Sequence, residues 1–211
     1  MLHGRHKAAL DRQWVSLADV VVKSGIRPNQ VTCVGLVLVL GNCVLYPLHE
    51  SNLVFGVGLA FSFAFDALDG AVARLTGRAS RFGAYLDAVV DRYQEVAVYL
   101  TIGLVTGFWL PAVLALTGSM LVSYNKARTA LEVPIGNNEW PDLMERFERI
   151  VLLCLALVLD AVFAGYGLTQ PSDLLYYFLW AIGVLAHITA VQRFFRARRI
   201  IAERGDRPGQ P

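Results

Sequence analysis

Four aspartates lie within apolar stretches of the sequence, where an ionised side chain is costly. Asp66 and Asp69 are three residues apart, and Asp87 and Asp91 are four apart, so each pair shares one face of a helix. An ionisable group inside a membrane-spanning segment marks a functional site by default. Four carboxylates in one place cannot all stay ionised without a counter-charge. The pattern therefore predicts a site built on clustered carboxylates.

Three kinds of counter-charge fit such a cluster. Hard oxygen ligands favour divalent metal ions such as Mg²⁺ or Mn²⁺. Protons would instead indicate a cation-coupled membrane transporter, which we keep as the alternative from a different class. Buried Arg74 and Arg92 would indicate a structural network, but two basic groups do not balance four aspartates and Glu95. Because Gly70 and Ala73 leave the aspartate face uncrowded, we favour a metal site with room for a ligand.

The elements that carry these residues are predicted from the apolar runs. The chain has 211 residues, of which 55% are hydrophobic and only 17% charged, and its three cysteines do not suggest a disulfide scaffold. A run of about 20 apolar residues is long enough to span a bilayer as a helix. The predicted fold class is an all-α membrane protein with six transmembrane helices. The runs are Val31–Leu48, Leu53–Leu75, Phe82–Val105, Leu110–Thr129, Ile150–Leu168 and Leu174–Phe195.

Lysine and arginine are distributed asymmetrically about these runs. Of the 19, all except Arg92 lie before the first run, at or beyond the end of the last, or near the junctions between the second and third runs and between the fourth and fifth. By the positive-inside rule, both termini and the aspartate site then face the cytoplasm. We predict an N-terminal cytoplasmic segment with an interfacial amphipathic helix (1–29), a six-helix domain (30–200) and a flexible tail (201–211).

Eight residues between Asp66 and Asp91 follow the pattern D-x2-D-G-x2-A-R-x8-G-x3-D-x3-D. This pattern resembles the signature of the CDP-alcohol phosphotransferase family at every fixed position, and the six-span layout is similar as well. The resemblance implies a phospholipid-synthesis enzyme that displaces CMP from CDP-diacylglycerol, or its ether analogue, with a second alcohol. It also implies a multi-pass enzyme of the cell (inner) membrane, a lipid bilayer as its surroundings, a homodimer, and no nucleic-acid partner.

The resemblance also assigns roles to single residues. Asp66, Asp69 and Asp87 are expected to bind one Mg²⁺ or Mn²⁺ ion. Asp66, Asp87 and Asp91 are expected to bind a second, and Asp91 is the candidate general base for the acceptor hydroxyl. The stretch 28–32 resembles the family's Pro-Asn-x-x-Thr entry to the first span. The residues expected to bind the CDP-lipid are Asn29, Thr32, Gly70, Ala73, Arg74, Ser80 and Gly83.

Basic residues at the cytoplasmic ends of the last three runs predict the acceptor site. Lys126, Arg149 and Arg193 are expected to converge opposite the aspartates and to hold a phosphate dianion. The segments around them are most similar to those of phosphatidylinositol phosphate synthases and their archaeal ether-lipid relatives. Inositol phosphate is therefore the favoured acceptor, with glycerol 3-phosphate and serine as alternatives. Membrane orientation alone would also place basic residues at these ends.

Overall fold

The computed structural model describes residues 22–23, 25–66, 68–135 and 143–205, and the statements below concern these residues. They form helices and no strand, which confirms the predicted all-α class. The helices are α1 (Pro28–His49), α2 (Asn52–Asp66), α3 (Leu68–Leu75), α4 (Arg81–Thr106), α5 (Trp109–Glu132), α6 (Arg146–Gly165) and α7 (Asp173–Gly205).

Each predicted apolar run corresponds to one helix, or to the consecutive helices α2 and α3 in the case of the second run. Three helical stretches are long and apolar enough to cross a membrane, namely Pro28–His49, Asn52–Leu75 and Asp173–Arg204. Helix α4 is also long, but it carries four ionisable side chains between Asp87 and Glu95. The predicted amphipathic helix at residues 7–24 lies outside the described residues except for positions 22–23.

Local sequence signals set the ends of the helices that carry the site. The Ser80 hydroxyl accepts a hydrogen bond from the Gly83 N–H at 3.0 Å and so caps the start of α4. Gly107, at a φ of 76°, ends the same helix in the left-handed conformation that glycine adopts at no steric cost. Pro28 opens α1, where its missing N–H would have had no intrahelical partner. The aspartates of α4 therefore lie in its second and third turns.

Helix α1 packs against α2, α3 and α4, while α5 packs along α7 and α2 along α6. This arrangement brings α2, α3 and α4, which carry the aspartates, together around α1. Gly35 of α1 permits the close approach, because a Cβ there would lie 2.5 Å from Oδ1 of Asp66. The buried core extends away from the aspartates and includes Tyr46 stacked on Phe55, with ring centroids 4.1 Å apart.

Helix α7 continues past Phe195, where the last apolar run ends, and takes in residues 201–205 of the predicted flexible tail. The reason is a small second core, in which Ile200 packs against Val133 beyond the end of α5. The Arg204 guanidinium also donates a hydrogen bond to the Pro134 carbonyl at 3.0 Å. These contacts hold the helical extension over the segment that follows α5.

Candidate active site

The carboxylates of Asp66, Asp87 and Asp91 form a group, called here the carboxylate cluster. One oxygen from each lies within 4.8 Å of the others. Asp66 is the last residue of α2 and is only 3% exposed, whereas Asp87 and Asp91 lie one turn apart on α4 and are partly buried. The cluster unites three of the four aspartates that the sequence predicts as metal ligands.

Asp69, the fourth predicted ligand, lies in the first turn of α3. Its Oδ2 accepts a hydrogen bond from the Thr32 hydroxyl at 2.5 Å, which ties α3 to α1. The short side chain of an aspartate on α3 reaches this hydroxyl because α1 and α3 are in contact. Asp69 therefore stands beside the carboxylate cluster, and the two meet in a shared cavity described below.

The cluster has the donor set of a divalent metal site. Oδ1 of Asp66 is buried, and the described residues offer it no hydrogen-bond partner. Ions such as Mg²⁺ take oxygen ligands at about 2.0–2.1 Å, so opposite ligand atoms are about 4 Å apart. Three carboxylate oxygens within 4.8 Å of one another are grouped closely enough to be candidate ligands of one ion. The residues present fit a hard divalent cation.

A cavity of about 250 Å³, called here the α1–α3 cavity, opens between α1, α3 and the start of α4. Asp69 and Asp87, the latter a member of the carboxylate cluster, line this cavity. Arg74 and Arg78 supply positive charge to its lining. All of the residues predicted to bind the CDP-lipid line it: Asn29, Thr32, Gly70, Ala73, Arg74, Ser80 and Gly83.

A larger cavity of about 700 Å³, called here the basic cavity, opens on the other side of the cluster between α4, α5, α6 and α7. Asp91 lines it, together with the three residues predicted to bind the acceptor phosphate, Lys126, Arg149 and Arg193. The structure thus brings these three basic residues together from three different helices, as the sequence predicts.

Arg146 is a site residue that the sequence interpretation missed. Its Nη1 lies 2.7 Å from Oδ1 of Asp91 and its Nη2 lies 3.4 Å from Oδ2 of Asp66, so one guanidinium bridges two members of the carboxylate cluster. It also donates a hydrogen bond to the buried Gln94 side chain and lines the basic cavity. The sequence could have indicated this residue, because Arg146 is three residues from the predicted Arg149 and shares its helix face.

Comparison with known proteins identifies the family. Residues 26–192 match the family model for CDP-alcohol phosphatidyltransferases. The chain belongs to this family. Among its relatives, the archaetidylinositol phosphate synthase of Pyrococcus horikoshii is 33% identical over 201 residues, which cover 92% of this chain and 93% of the relative. The phosphatidylinositol phosphate synthase of Streptomyces avermitilis is 31% identical over 220 residues, covering 96% of this chain and 85% of that protein.

Solved structures agree with this assignment. The phosphatidylinositol phosphate synthase of Mycobacterium tuberculosis with CDP-DAG bound is 27% identical, with a TM-score of 0.74 over 88% of this chain and 94% of the other. The same enzyme in complex with manganese and citrate gives a TM-score of 0.75 at 26% identity, over 88% of each chain. The predicted enzyme class, a CDP-alcohol phosphatidyltransferase, is confirmed over the alternative of a cation-coupled transporter.

Within this phosphatidyltransferase, two of the predicted acceptor residues are more deeply buried than the sequence suggests. Arg149 is 1% exposed and donates to Oε1 of Glu95 and to the Met144 carbonyl, both at 2.8 Å. Arg193 donates to the Val122 carbonyl of α5. A guanidinium carries five N–H donors, and Nε of Arg149 has no hydrogen-bond partner among the described residues. Lys126 is partly exposed.

Proposed function

We propose that the enzyme transfers the lipid phosphatidyl group of CDP-diacylglycerol, or of its ether analogue, to a hydroxyl of inositol phosphate and releases CMP. The observation that carries this proposal is the position of the carboxylate cluster between two cavities. Asp87 lines the α1–α3 cavity, which suits a nucleotide diphosphate, and Asp91 lines the basic cavity, which suits a second phosphate. Donor and acceptor then meet at the aspartates, where the reaction takes place.

Donor binding is assigned to the α1–α3 cavity. Arg74 holds diphosphate oxygens through its planar guanidinium. Gly70 lies beside it, since a Cβ at Gly70 would be 3.5 Å from Nη1 of Arg74 and would have no other neighbour within 4 Å. The glycine therefore leaves the backbone open to close approach by the nucleotide. Asn29 and Thr32 supply polar contacts at the start of α1, and Ala73, Ser80 and Gly83 complete the lining.

The aspartates hold two divalent metal ions, Mg²⁺ or Mn²⁺. Asp66, Asp69 and Asp87 are the residues that hold one, and Asp66, Asp87 and Asp91 hold the other. Bound metal ions supply stabilisation of the negative charge that develops on the phosphoryl oxygens. Support comes from the spacing of the cluster oxygens and from the buried Oδ1 of Asp66. A further support is the relative from M. tuberculosis that was solved in complex with manganese.

Asp91 acts as the general base. Its carboxylate accepts the proton of the acceptor hydroxyl, whose oxygen forms a bond to the lipid-linked phosphorus of the donor. The bond between that phosphorus and the oxygen of CMP breaks, and CMP leaves with the electron pair. Asp91 suits this role because it is the member of the carboxylate cluster that lines the basic cavity. The contact with Arg146 holds its carboxylate at the cavity wall.

The basic cavity binds the phosphate of the acceptor through Lys126, Arg149 and Arg193, with Arg146 as a fourth cation. A serine or an unphosphorylated polyol would bring no phosphate dianion to these cations. The named relatives are inositol phosphate synthases of the acyl and the archaeal lipid type. Inositol phosphate is therefore preferred to glycerol 3-phosphate as the acceptor.

In the membrane, the enzyme adopts six spans with both termini and the active site on the cytoplasmic side of the cell membrane. Three of its helical stretches meet the length and hydropathy of a span, and lysine and arginine cluster at the ends that bear the site. A homodimer is the assembly that the family resemblance implies. The protein has no nucleic-acid partner in this proposal.

The proposal is tested with purified full-length protein in detergent, by measuring CMP release in the presence of Mg²⁺ or Mn²⁺. CDP-diacylglycerol and CDP-archaeol are compared as donors, and inositol phosphate, glycerol 3-phosphate, serine and inositol as acceptors. The highest kcat/KM is expected with inositol phosphate. A higher value for serine or inositol would overturn the assignment of a phosphorylated acceptor, and glycerol 3-phosphate as the best acceptor would replace inositol phosphate.

A further inference from the structure

Glu95 is a buried carboxylate that the reaction as described does not use. It lies on α4 one turn after Asp91 and is only 4% exposed. Its Oε1 lies 2.8 Å from Nη2 of Arg149, and its Oε2 lies 3.0 Å from Nη1 of Arg92. One carboxylate therefore holds two arginines, of which one is on its own helix and one on α6.

The two arginines reach further elements from there. Arg149 also donates to the carbonyl of Met144, just before α6 begins. Arg92 also donates to the hydroxyl of Ser123 on α5. Glu95 is thus the centre of a network that connects α4, α5 and the start of α6. These elements form three of the walls of the basic cavity.

Glu95 itself stands behind that cavity. Arg92 and Arg149 line it, but Glu95 faces a small, largely apolar pocket on the other side of Arg149, beside Phe63 and Leu153. A carboxylate in such surroundings interacts strongly with its charged partners, because little water screens the pair. An acceptor in the basic cavity would meet the arginines and would not touch Glu95.

We propose that Glu95 is a positioning residue for the acceptor site: it fixes the guanidinium plane of Arg149 so that the remaining N–H donors of Arg149 hold the acceptor phosphate. The inference rests on the proposed function of the basic cavity. Arginine recognises phosphate through a planar fork of donors, so the direction of the plane decides how many bonds it makes. Without Glu95, Arg149 keeps its charge but loses the carboxylate that fixes its direction.

The direct test is Glu95→Gln, assayed by CMP release with inositol phosphate and CDP-diacylglycerol. We expect the KM for the acceptor to rise about 10-fold or more, the loss of one charge-assisted hydrogen bond. The KM for the CDP-lipid should change less than about twofold, because the donor lies in the α1–α3 cavity. Glu95→Asp keeps the charge and should recover part of the acceptor KM. A merely structural role would instead lower the melting temperature and leave both KM values unchanged.

Coupling to Arg149 gives a second test, which also guards against misfolding. Glu95→Gln leaves Arg149 buried without its anionic partner, whereas the double variant Glu95→Gln/Arg149→Gln removes both charges together. If Glu95 acts through Arg149, the double variant should have nearly the acceptor KM of Arg149→Gln alone. The matched control is Glu132→Gln, which removes an exposed ion pair with Arg128 (2.5 Å) on α5 and should leave both KM values unchanged.

The outcomes separate the two proposals. A wild-type enzyme that uses no phosphorylated acceptor overturns the proposed function and this inference with it. A wild-type enzyme that uses one, together with Glu95→Gln at the wild-type acceptor KM, overturns the inference alone. The inference is also overturned if the rise in acceptor KM of the double variant equals the product of the rises in Glu95→Gln and Arg149→Gln. Acceptor-specific loss, partial recovery in Glu95→Asp and non-additivity with Arg149→Gln together support it.

Discussion

Two groups of buried aspartate lie at opposite ends of α2 and are stabilised in different ways. At the end of α2 that begins with Asn52, Asp160 of α6 is 1% exposed. Its carboxylate accepts hydrogen bonds from Nδ2 of Asn52 at 2.6 Å and from the N–H groups of Ser172, Leu174 and Leu175 at 3.1–3.2 Å. A carboxylate offers about four acceptor positions, so neutral donors fill this one.

At the other end, Asp66 and Asp91 share one arginine, and Nη2 of Arg92 also lies 3.7 Å from Oδ2 of Asp91. Arg146 contacts both, and Oδ1 of Asp66 is left without a hydrogen-bond partner among the described residues. The donors around Asp160 are mostly backbone groups at the start of α7, which cannot leave. Arg146, which Asp66 and Asp91 share, is a long side chain that lines the basic cavity and can move away from them. The difference distinguishes an aspartate that fastens helices from aspartates arranged to bind and react.

Removal of the metal ions should have the largest effect, and it should affect the carboxylate cluster without affecting Asp160. Excess EDTA is expected to abolish CMP release, because the carboxylate cluster would lose the ions that stabilise the developing phosphoryl charge. The hydrogen bonds to Asp160 need no metal ion. The protein should therefore stay folded, as judged by its melting temperature and circular dichroism. Activity should return on adding Mg²⁺ or Mn²⁺. Full turnover in excess EDTA would contradict the assignment of the aspartates as metal ligands.

Asp91→Asn should have the next largest effect. Loss of a general base costs about 10²–10⁴-fold in rate, and loss of a metal ligand adds to it. Binding of the CDP-lipid should largely survive, since the donor cavity is lined by other residues. Asp66→Asn should weaken metal and donor binding together, because Asp66 is proposed to hold both ions. Single-turnover rates and CDP-lipid binding would be measured for both variants, and a near-wild-type rate for Asp91→Asn would exclude it as the base.

Arg149→Gln and Arg193→Gln should have smaller, acceptor-specific effects. A buried charge-assisted contact is worth roughly 1.5–3 kcal/mol, so the acceptor KM should rise about 10- to 150-fold for each. The KM for the CDP-lipid should change little, and inorganic phosphate should compete with the acceptor but not with the donor. If neither variant changes the kinetics, these arginines serve only the structure. Both are buried and donate hydrogen bonds to backbone carbonyls, so this outcome has to be tested.

Sequence and structure agree most closely where the information is local. The spacings from Asp66 to Asp91 follow helical periodicity, so the faces that carry the carboxylates could be predicted without coordinates. Arg146 could have been found by the same rule from its distance to Arg149. The pairing of Glu95 with Arg149 and of Asp160 with Asn52 joins residues 54 and 108 positions apart, and depends on which helices pack together. No short-range pattern encodes that choice.

Asp160→Asn tests the end of α2 that lies away from the carboxylate cluster, and it should have the smallest effect on the reaction. The amide would keep the shape of the carboxylate but would turn two lone pairs into an N–H₂ donor facing the backbone N–H groups of α7. Leaving such buried donors unsatisfied costs about 1–3 kcal/mol, so the melting temperature should fall while both KM values stay near those of the wild type. Asp173→Asn, on the exposed first residue of α7, is the matched control for a lost charge at the same helix end and should be nearly neutral. If Asp160→Asn instead changed the acceptor KM while the melting temperature stayed constant, the two ends of α2 would be functionally coupled. The division into a fastening aspartate and reacting aspartates would then be wrong.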